Sequence, residues 1–204
     1  MGRTYDVDKE RKYPSVTSVC SVLDKGESLA KWMCFVGFDE ATRIKEAAGV
    51  RGTKVHQFVS EWLISGTKPT APDGLEDGRL DAIEKYFNDV KPKLYRVGKK
   101  PASELVVWSS KHGYAGTLDA VLVDGDRRIL VDWKTSKEFR KEYALQTAAY
   151  AAAWNEQHPR KLITERQVVR FTDDGNYAVK SYHDDMGDFA GFLGALALYN
   201  WAHK

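Results

Sequence analysis

The run GTLDAVLVDGDRRILVDWK, residues 116–134, concentrates groups able to do chemistry. Asp124-Gly125-Asp126 reads as a hairpin turn between two apolar strands. With the turn centred on Gly125-Asp126, facing residues carry numbers that sum to 251, which sets Asp119 opposite Asp132. Facing residues of an antiparallel pair share one side of the sheet, with Cβ atoms about 4.5–5.5 Å apart. Lys134 lies two residues beyond Asp132 and projects to that same side, while Trp133 points to the opposite layer. A slip of one residue would undo the arrangement. Two carboxylates opposed in apolar surroundings repel, and one has its pKa raised. A divalent cation removes that penalty, and hard oxygen donors suit Mg²⁺ or Mn²⁺. Such an ion acidifies a water and neutralises charge on a phosphoryl oxygen. The Lys134 ammonium could then orient the attacking water and screen transition-state charge. A lone D-x-K is usually an incidental strand salt bridge; the facing aspartate distinguishes this one.

Further candidates lie outside the hairpin. Glu104 opens the strand-like ELVVWSS and is either a further metal ligand or an exposed strand-end acid. Gln146 and Tyr150 are four apart on a helix-like stretch and share a face. Both can hydrogen-bond a phosphate, and Tyr150 can stack on a base; the alternative is a polar stripe on a core helix. His56 sits beside Val55 in TKVHQFVSEWL, as a core histidine or as an imidazole ligand to a divalent ion.

These side chains need a scaffold, and the sequence supplies an α/β one. A short helix is expected over SVTSVCSVLD, capped by Ser15 or Thr17 and ending at Lys25-Gly26. A second is expected from Ser28 to Phe38. A third starts near Glu40, is interrupted by Gly49 and Gly52, and resumes as TKVHQFVSEWLISG up to Gly66. Val55, Phe58, Val59 and Leu63 recur at helical spacing. TKPTAPDG is a loop, and EDGRLDAIEKYFNDVKP an amphipathic helix stopped by Pro92. Beyond Pro92 the period becomes two: LYRV, ELVVWSS, YAGTLDAVLV and RILVDWK are strands. The alanine-rich KEYALQTAAYAAAWNEQ is a helix, ITERQVVRFT and NYAVKSYH a second hairpin, and Asp184 to Ala202 an apolar terminal helix. A mixed central sheet flanked by helices follows, with a helical N-terminal lead-in. One domain is expected over 1–204: the lead-in over 13–92, the catalytic sheet and its helix over 93–183, and the C-terminal helix over 184–204.

Composition narrows the function classes. The 204 residues are 43% hydrophobic and 29% charged, values of a globular protein rather than a disordered chain or coiled-coil rod. No run approaches the ~18 apolar residues of a transmembrane helix. MGRTYDVDKERKYP lacks the apolar stretch of a secretory signal, and Asp6 stands where a myristoylation signal has Ser or Thr. A cytoplasmic protein is expected. The two cysteines, Cys20 and Cys34, cannot build a four-cysteine zinc or iron–sulfur site and are expected to be buried thiols. Net charge is +2, yet residues 91–141 hold twelve Lys or Arg against six Asp or Glu. A basic middle in a near-neutral chain fits a groove for a polyanion.

RGTKVHQFV, ELVVWSS, GYAGTLD, VDWKT and QTAAY, in that order, resemble the PD-(D/E)XK nuclease superfamily. The likeness is to its RecB-type branch, which includes the mitochondrial genome maintenance exonuclease and phage exonucleases, and it covers residues 13 to 155. The resemblance implies a restriction-endonuclease-like core. It implies that Asp119, Asp132 and Lys134 are catalytic, and that His56, Asp119, Asp132 and the main-chain carbonyl of Trp133 hold Mg²⁺ or Mn²⁺, with Glu104 as a further ligand. It implies that Gln146 and Tyr150 support the site and the DNA, and that Arg51 and Thr53 meet DNA phosphate. The basic stretch that includes Lys99 and Lys100, and the pair Arg140 and Lys141, would track the DNA backbone. Leu118 stands where the family name has proline, and Asp132 where many relatives have glutamate. The branch with a four-cysteine iron–sulfur cluster is excluded by cysteine count. The implied activity is a metal-dependent deoxyribonuclease, a single-strand exonuclease needing a free end and leaving 5′-phosphates. The partner would be DNA, with replication or recombination proteins beside it and no membrane, and the likeness implies a bacterial or phage-infected cell. The alternatives are a catalytically inactive nucleic-acid-binding protein on the same fold, a double-strand exonuclease or an endonuclease.

Overall fold

A computed structural model describes residues 2–8, 11–23 and 26–204. The chain opens with an antiparallel hairpin of β1 (Thr4–Asp8) and β2 (Arg11–Pro14), absent from the sequence expectation. Ser15 then caps α1 (Val16–Cys20), its hydroxyl accepting from the Ser18 N–H. The expected helix is shorter than SVTSVCSVLD, and its expected end at Lys25 lies outside the described residues. α2 (Gly26–Val36) stops at Gly37, whose φ of 86° suits glycine.

α3 (Phe38–Ser65) is one unbroken helix of 28 residues, where an interruption at Gly49 and Gly52 was expected. Each glycine costs about 1 kcal/mol relative to alanine. Buried Val55, Phe58, Val59 and Leu63 anchor the following turns and outweigh that cost. Gly66, in the left-handed region, closes the helix. α4 (Asp77–Val90) ends at Lys91, immediately before Pro92, as the sequence indicates.

LYRV meets the central sheet only at an isolated antiparallel bridge, Leu94↔Leu122, flanked by the bonds Tyr95 N–H to the Val121 carbonyl and Val123 N–H to the Lys93 carbonyl, both 2.8 Å. Only Arg96–Val97 is a strand, β3, folded back at Gly98 on β4 (Lys100–Pro101). The central sheet holds β5 (Ser103–Ser109), β6 (Tyr114–Asp124), β7 (Arg127–Lys134), β8 (Glu165–Phe171) and β9 (Tyr177–Tyr182), in that spatial order. All neighbours are antiparallel except β7 and β8, joined in parallel through α5 (Glu142–Gln157). α6 (Asp185–Ala202) ends the chain.

One face of the sheet packs on α3 and α4, burying Ile83, Tyr86, Val131, Trp133 and Phe171. The other carries α1, α5 and α6, burying Val16, Leu130, Trp154 and Phe192. Trp133 points into the α3–α4 layer, as its position beside Asp132 requires, and stacks on Phe171. Its truncation to alanine would cost about 3–5 kcal/mol.

The hairpin register holds: Ala120↔Val131, Val121↔Leu130 and Asp124↔Arg127 all sum to 251. Pairing nevertheless stops at Ala120↔Val131, one pair short of Asp119 and Asp132. On the other side of β6, Ser103↔Ala120 and Leu105↔Leu118 pair while Glu104 and Asp119 between them do not. Glu104 there has a φ of 50°, strained for a residue with a side chain. The alternation slips as well. Ala120 and Leu122 face α3 and α4, but Leu118 enters the opposite core. The sheet therefore forks at Asp119.

Candidate active site

The fork lies in a cleft of about 640 Å³ between α3 and the segment from β1 to α1. α3 brings His56 over the fork, because its apolar turn at Val55, Phe58 and Val59 is buried and leaves positions 49, 52, 53, 56 and 60 facing the cleft. The His56 Nε2 lies 3.0 Å from the Trp133 carbonyl. That contact requires Nε2–H as donor and turns Nδ1 toward two carboxylates. Asp119 Oδ1 is 3.4 Å from Nδ1, and Glu104 Oε1 is 3.6 Å from it. The three ligand atoms of His56, Glu104 and Asp119 lie within 4.8 Å of one another. The strained backbone of Glu104 is what aims its carboxylate at this point.

Asp119 spends its other oxygen on the chain: the Trp133 N–H donates to Oδ2 at 2.7 Å. This bond replaces the ladder pair that the register would have formed and pins the fork open. Asp132 is buried against α5, accepting from the Gln146 Nε2 at 3.0 Å, with the Lys134 ammonium against its Oδ2. Asp119 and Asp132 are thus neighbours across the fork rather than a facing pair on one side, and among the described residues Asp132 is outside the His56–Glu104–Asp119 cluster.

The charges are strongly coupled. Burial acts to lower the His56 pKa, but the charge and hydrogen bond of Asp119, with Glu104, carry it up to about 10. Burial acts to raise Asp119, and His56, Lys134 and the Trp133 N–H together hold it below the usual carboxylate range. Asp132 is pushed up to about 6 by burial and by the Asp119 charge, against the pull of Lys134. Burial would lower Lys134, yet Asp132 and Asp119 raise it, so it stays an ammonium. Three acids, an imidazolium and an ammonium thus meet at one point. The imidazolium occupies the electrostatic position of a cation between Asp119 and Glu104. Carboxylate oxygens and one imidazole nitrogen make a donor set that fits a divalent cation.

Other expected residues fall differently. The Trp133 carbonyl accepts from His56 and orients that ring. Tyr150 lines the cleft floor but is buried, 3% exposed, with its hydroxyl accepting from Gln146 Nε2 at 3.2 Å, so it braces Gln146. A Cβ on Gly116 would meet the Tyr150 ring at 2.5 Å, so only glycine admits that packing. Thr53 lines the cleft, its hydroxyl bonded to the Gly49 carbonyl. Arg51 lies 3.5 Å from Glu76, outside the cleft lining, and Lys99 and Lys100 sit on the β3–β4 hairpin away from it. Cys20 is buried as expected, but Cys34 is exposed on α2.

The sequence reading missed the cleft's other wall. Arg3 and Tyr5 of the first hairpin, with Ser15, Thr17 and Thr117, line it. Tyr5 Oη lies 2.9 Å from Thr117 Oγ1, and the Arg3 guanidinium 4.8 Å above the Tyr5 ring. The alternation of Tyr5 and Val7 was the available signal, masked by the surrounding charge.

No protein-family model matches the chain, and no curated protein does. Solved structures resemble it. The crystal structure of SSO0001 superimposes with a TM-score of 0.50 at 11% identity, over 96% of this chain and 78% of that one. An alkaline exonuclease (LHK-Exo) from Laribacter hongkongensis is similar at a TM-score of 0.48 and 13% identity, over 93% and 87%. Its complex with dAMP gives 0.48 and 12% over the same shares. At these identities the likeness is one of fold: a mixed sheet between helical layers.

Proposed function

We propose that this chain is a divalent-metal-dependent deoxyribonuclease that acts as an exonuclease on single-stranded DNA with a free end and leaves 5′-phosphates. The observation that carries the reading is the convergence of His56, Glu104 and Asp119 beside the Asp132–Lys134 pair at the fork. These side chains belong to the motifs RGTKVH, ELVVWSS, GTLD and VDWK, which resemble the RecB-type PD-(D/E)XK nucleases.

His56, Glu104 and Asp119 would hold Mg²⁺ or Mn²⁺, with Asp132 beside them; when bound, the ion supplies charge neutralisation at the phosphoryl group and acidifies a water. The protein's own groups do the rest. His56 must give up its Nδ1 proton to become a ligand, and the Trp133 carbonyl holds its Nε2–H so that the ring stays aimed. Gln146, steadied by Tyr150, fixes Asp132, which in turn holds Lys134. The Lys134 ammonium orients the water for in-line attack and meets the charge that builds on phosphorus in the transition state. The cleft walls of α3 and β1 keep the strand in register with these groups.

The test is digestion of 5′- and 3′-labelled linear single strands, duplexes and circles with Mg²⁺ or Mn²⁺. Mononucleotides released from linear single strands, with circles intact, are expected. Cleavage of circles at the linear rate would make the enzyme an endonuclease, and no cleavage of any substrate would leave an inactive binder.

A further inference from the structure

The face of the sheet that carries Asp132 and Lys134 continues past them. In the parallel β7–β8 pair Lys134 is opposite Arg170, and in the β8–β9 pair Val168 is opposite Lys180. Paired residues lie on one side of a sheet, and alternate residues of one strand share it, so Lys134, Arg170 and Lys180 are on the same face. Strands are about 4.8 Å apart, so the row crosses about 10 Å from the Lys134 strand to the open edge at β9. The Phe139 ring stands between the outer two cations: the Arg170 guanidinium is 4.8 Å and the Lys180 ammonium 6.0 Å from its centre. Arg170 also donates to the Lys137 carbonyl, tying the loop after β7 to the row, and leaves its buried Nε without a partner. Among the described residues no carboxylate pairs with Lys137, Arg170 or Lys180, whereas Arg140 beside them has Glu142. Lys180 is exposed.

Unpaired cations that share a face and lead away from a phosphoryl-transfer lysine are placed to hold further phosphates of the same strand. We propose that Arg170 and Lys180, set in place by Phe139, extend the active site into a track for the phosphodiester backbone of a single DNA strand, which crosses the sheet edge at β9. The inference rests on the nuclease reading above and adds the path of the strand beyond the scissile bond.

The experiment compares a trinucleotide with a labelled single strand of about 20 nucleotides. Binding of the longer strand is followed by fluorescence anisotropy in EDTA against NaCl concentration, and cleavage of both is followed with Mn²⁺. One phosphate contact on a single strand contributes about 0.7 to the slope of log K against log salt, so Lys180→Gln should weaken binding about 8-fold at about 50 mM NaCl and reduce the slope by about 0.7. Adding Arg170→Gln should reduce it by about 1.4 in all. The trinucleotide, too short to reach the track, should keep its kcat/KM within about twofold, and Lys180→Arg should behave as wild type. The Lys180→Gln melting temperature should be unchanged, because the side chain is exposed. An unchanged salt slope in Lys180→Gln, or equal losses on both substrates, overturns the track and leaves the nuclease reading standing. Wild-type protein that binds the long strand through Lys180 but cleaves nothing sinks the nuclease reading and keeps the track. No binding by the wild type sinks both.

Discussion

Lys134 is the side chain whose contribution should appear in turnover and not in binding. It stays charged because Asp132 and Asp119 outweigh its burial, so it cannot serve as a base, and in the proposed reaction it would act on charge that exists only in the transition state. Lys134→Ala should lower kcat by about 10²–10³-fold and leave DNA affinity within a few-fold, measured by single-turnover cleavage beside binding. Matching losses in both would make it a plain phosphate contact. His56 carries the pH dependence. A neutral imidazole ligand with an ordinary pKa near 6.5 would give an acid limb there. The facing carboxylates instead move the metal-free group to about 10. Metal must therefore displace a proton across neutral pH, so Mn²⁺ affinity should rise with pH through pH 7–9, and His56→Gln should flatten that rise. In EDTA the sign reverses: the raised folded pKa stabilises the metal-free protein fully below about 6.5, and the gain is lost as pH rises through about 10. The melting-temperature gap between wild type and His56→Gln should shrink over that window. The thiols give a simpler check. Burial, then the charge of Glu142, pushes Cys20 up to about 12, while Cys34 is exposed, so a thiol reagent at pH 8 should modify one cysteine rapidly in native protein and two after unfolding.

At the scale of the element, α3 both carries His56 and shapes the cleft. Gly49 and Gly52 line the cavity, and a Cβ built on either meets nothing within 4 Å. Alanine at either position should therefore stabilise the helix by about 1 kcal/mol, read as a raised melting temperature. Phenylalanine at Gly52 should keep the fold but fill the cleft and raise KM severalfold; an unchanged KM would move the substrate elsewhere. Gly116→Ala should act through packing, destabilising by about 1–3 kcal/mol as it pushes on the Tyr150 ring. The same elements mark what the sequence could reveal. The hairpin register was legible because Asp124-Gly125-Asp126 fixes the turn and apolar alternation fixes the faces. The lapse at Asp119 was not, since it depends on one carboxylate capturing the Trp133 N–H and on a left-handed Glu104. Helix α3 was misread at its glycines because local propensity is weak beside four buried anchors downstream. Gln146 and Tyr150 were found by spacing, but the packing of Tyr150 on Gly116, by which it braces Gln146, is visible only in the fold.

For the whole molecule, the charge is arranged along the sheet and not spread evenly. Residues 91–141 carry the basic excess of a chain whose net charge is only +2, and within it Lys134, Lys137, Arg140 and Lys141 gather at the end of β7 and the start of α5. Attraction of a polyanion to that end should weaken steeply with salt, a dependence that a small-molecule metallohydrolase would lack. The fold brings four sequence-distant segments to one fork, and the central claim is that their convergence binds a catalytic metal. The direct measurement is cleavage of end-labelled linear single-stranded DNA by EDTA-stripped protein as Mn²⁺ is added back, for wild type and Asp119→Asn. The account predicts no cleavage before addition and a saturable rise for wild type. It predicts a residual rate at least about 10²-fold lower for Asp119→Asn, with its circular dichroism spectrum unchanged. Full-rate cleavage in EDTA, or by Asp119→Asn at the wild-type Mn²⁺ midpoint, would contradict it.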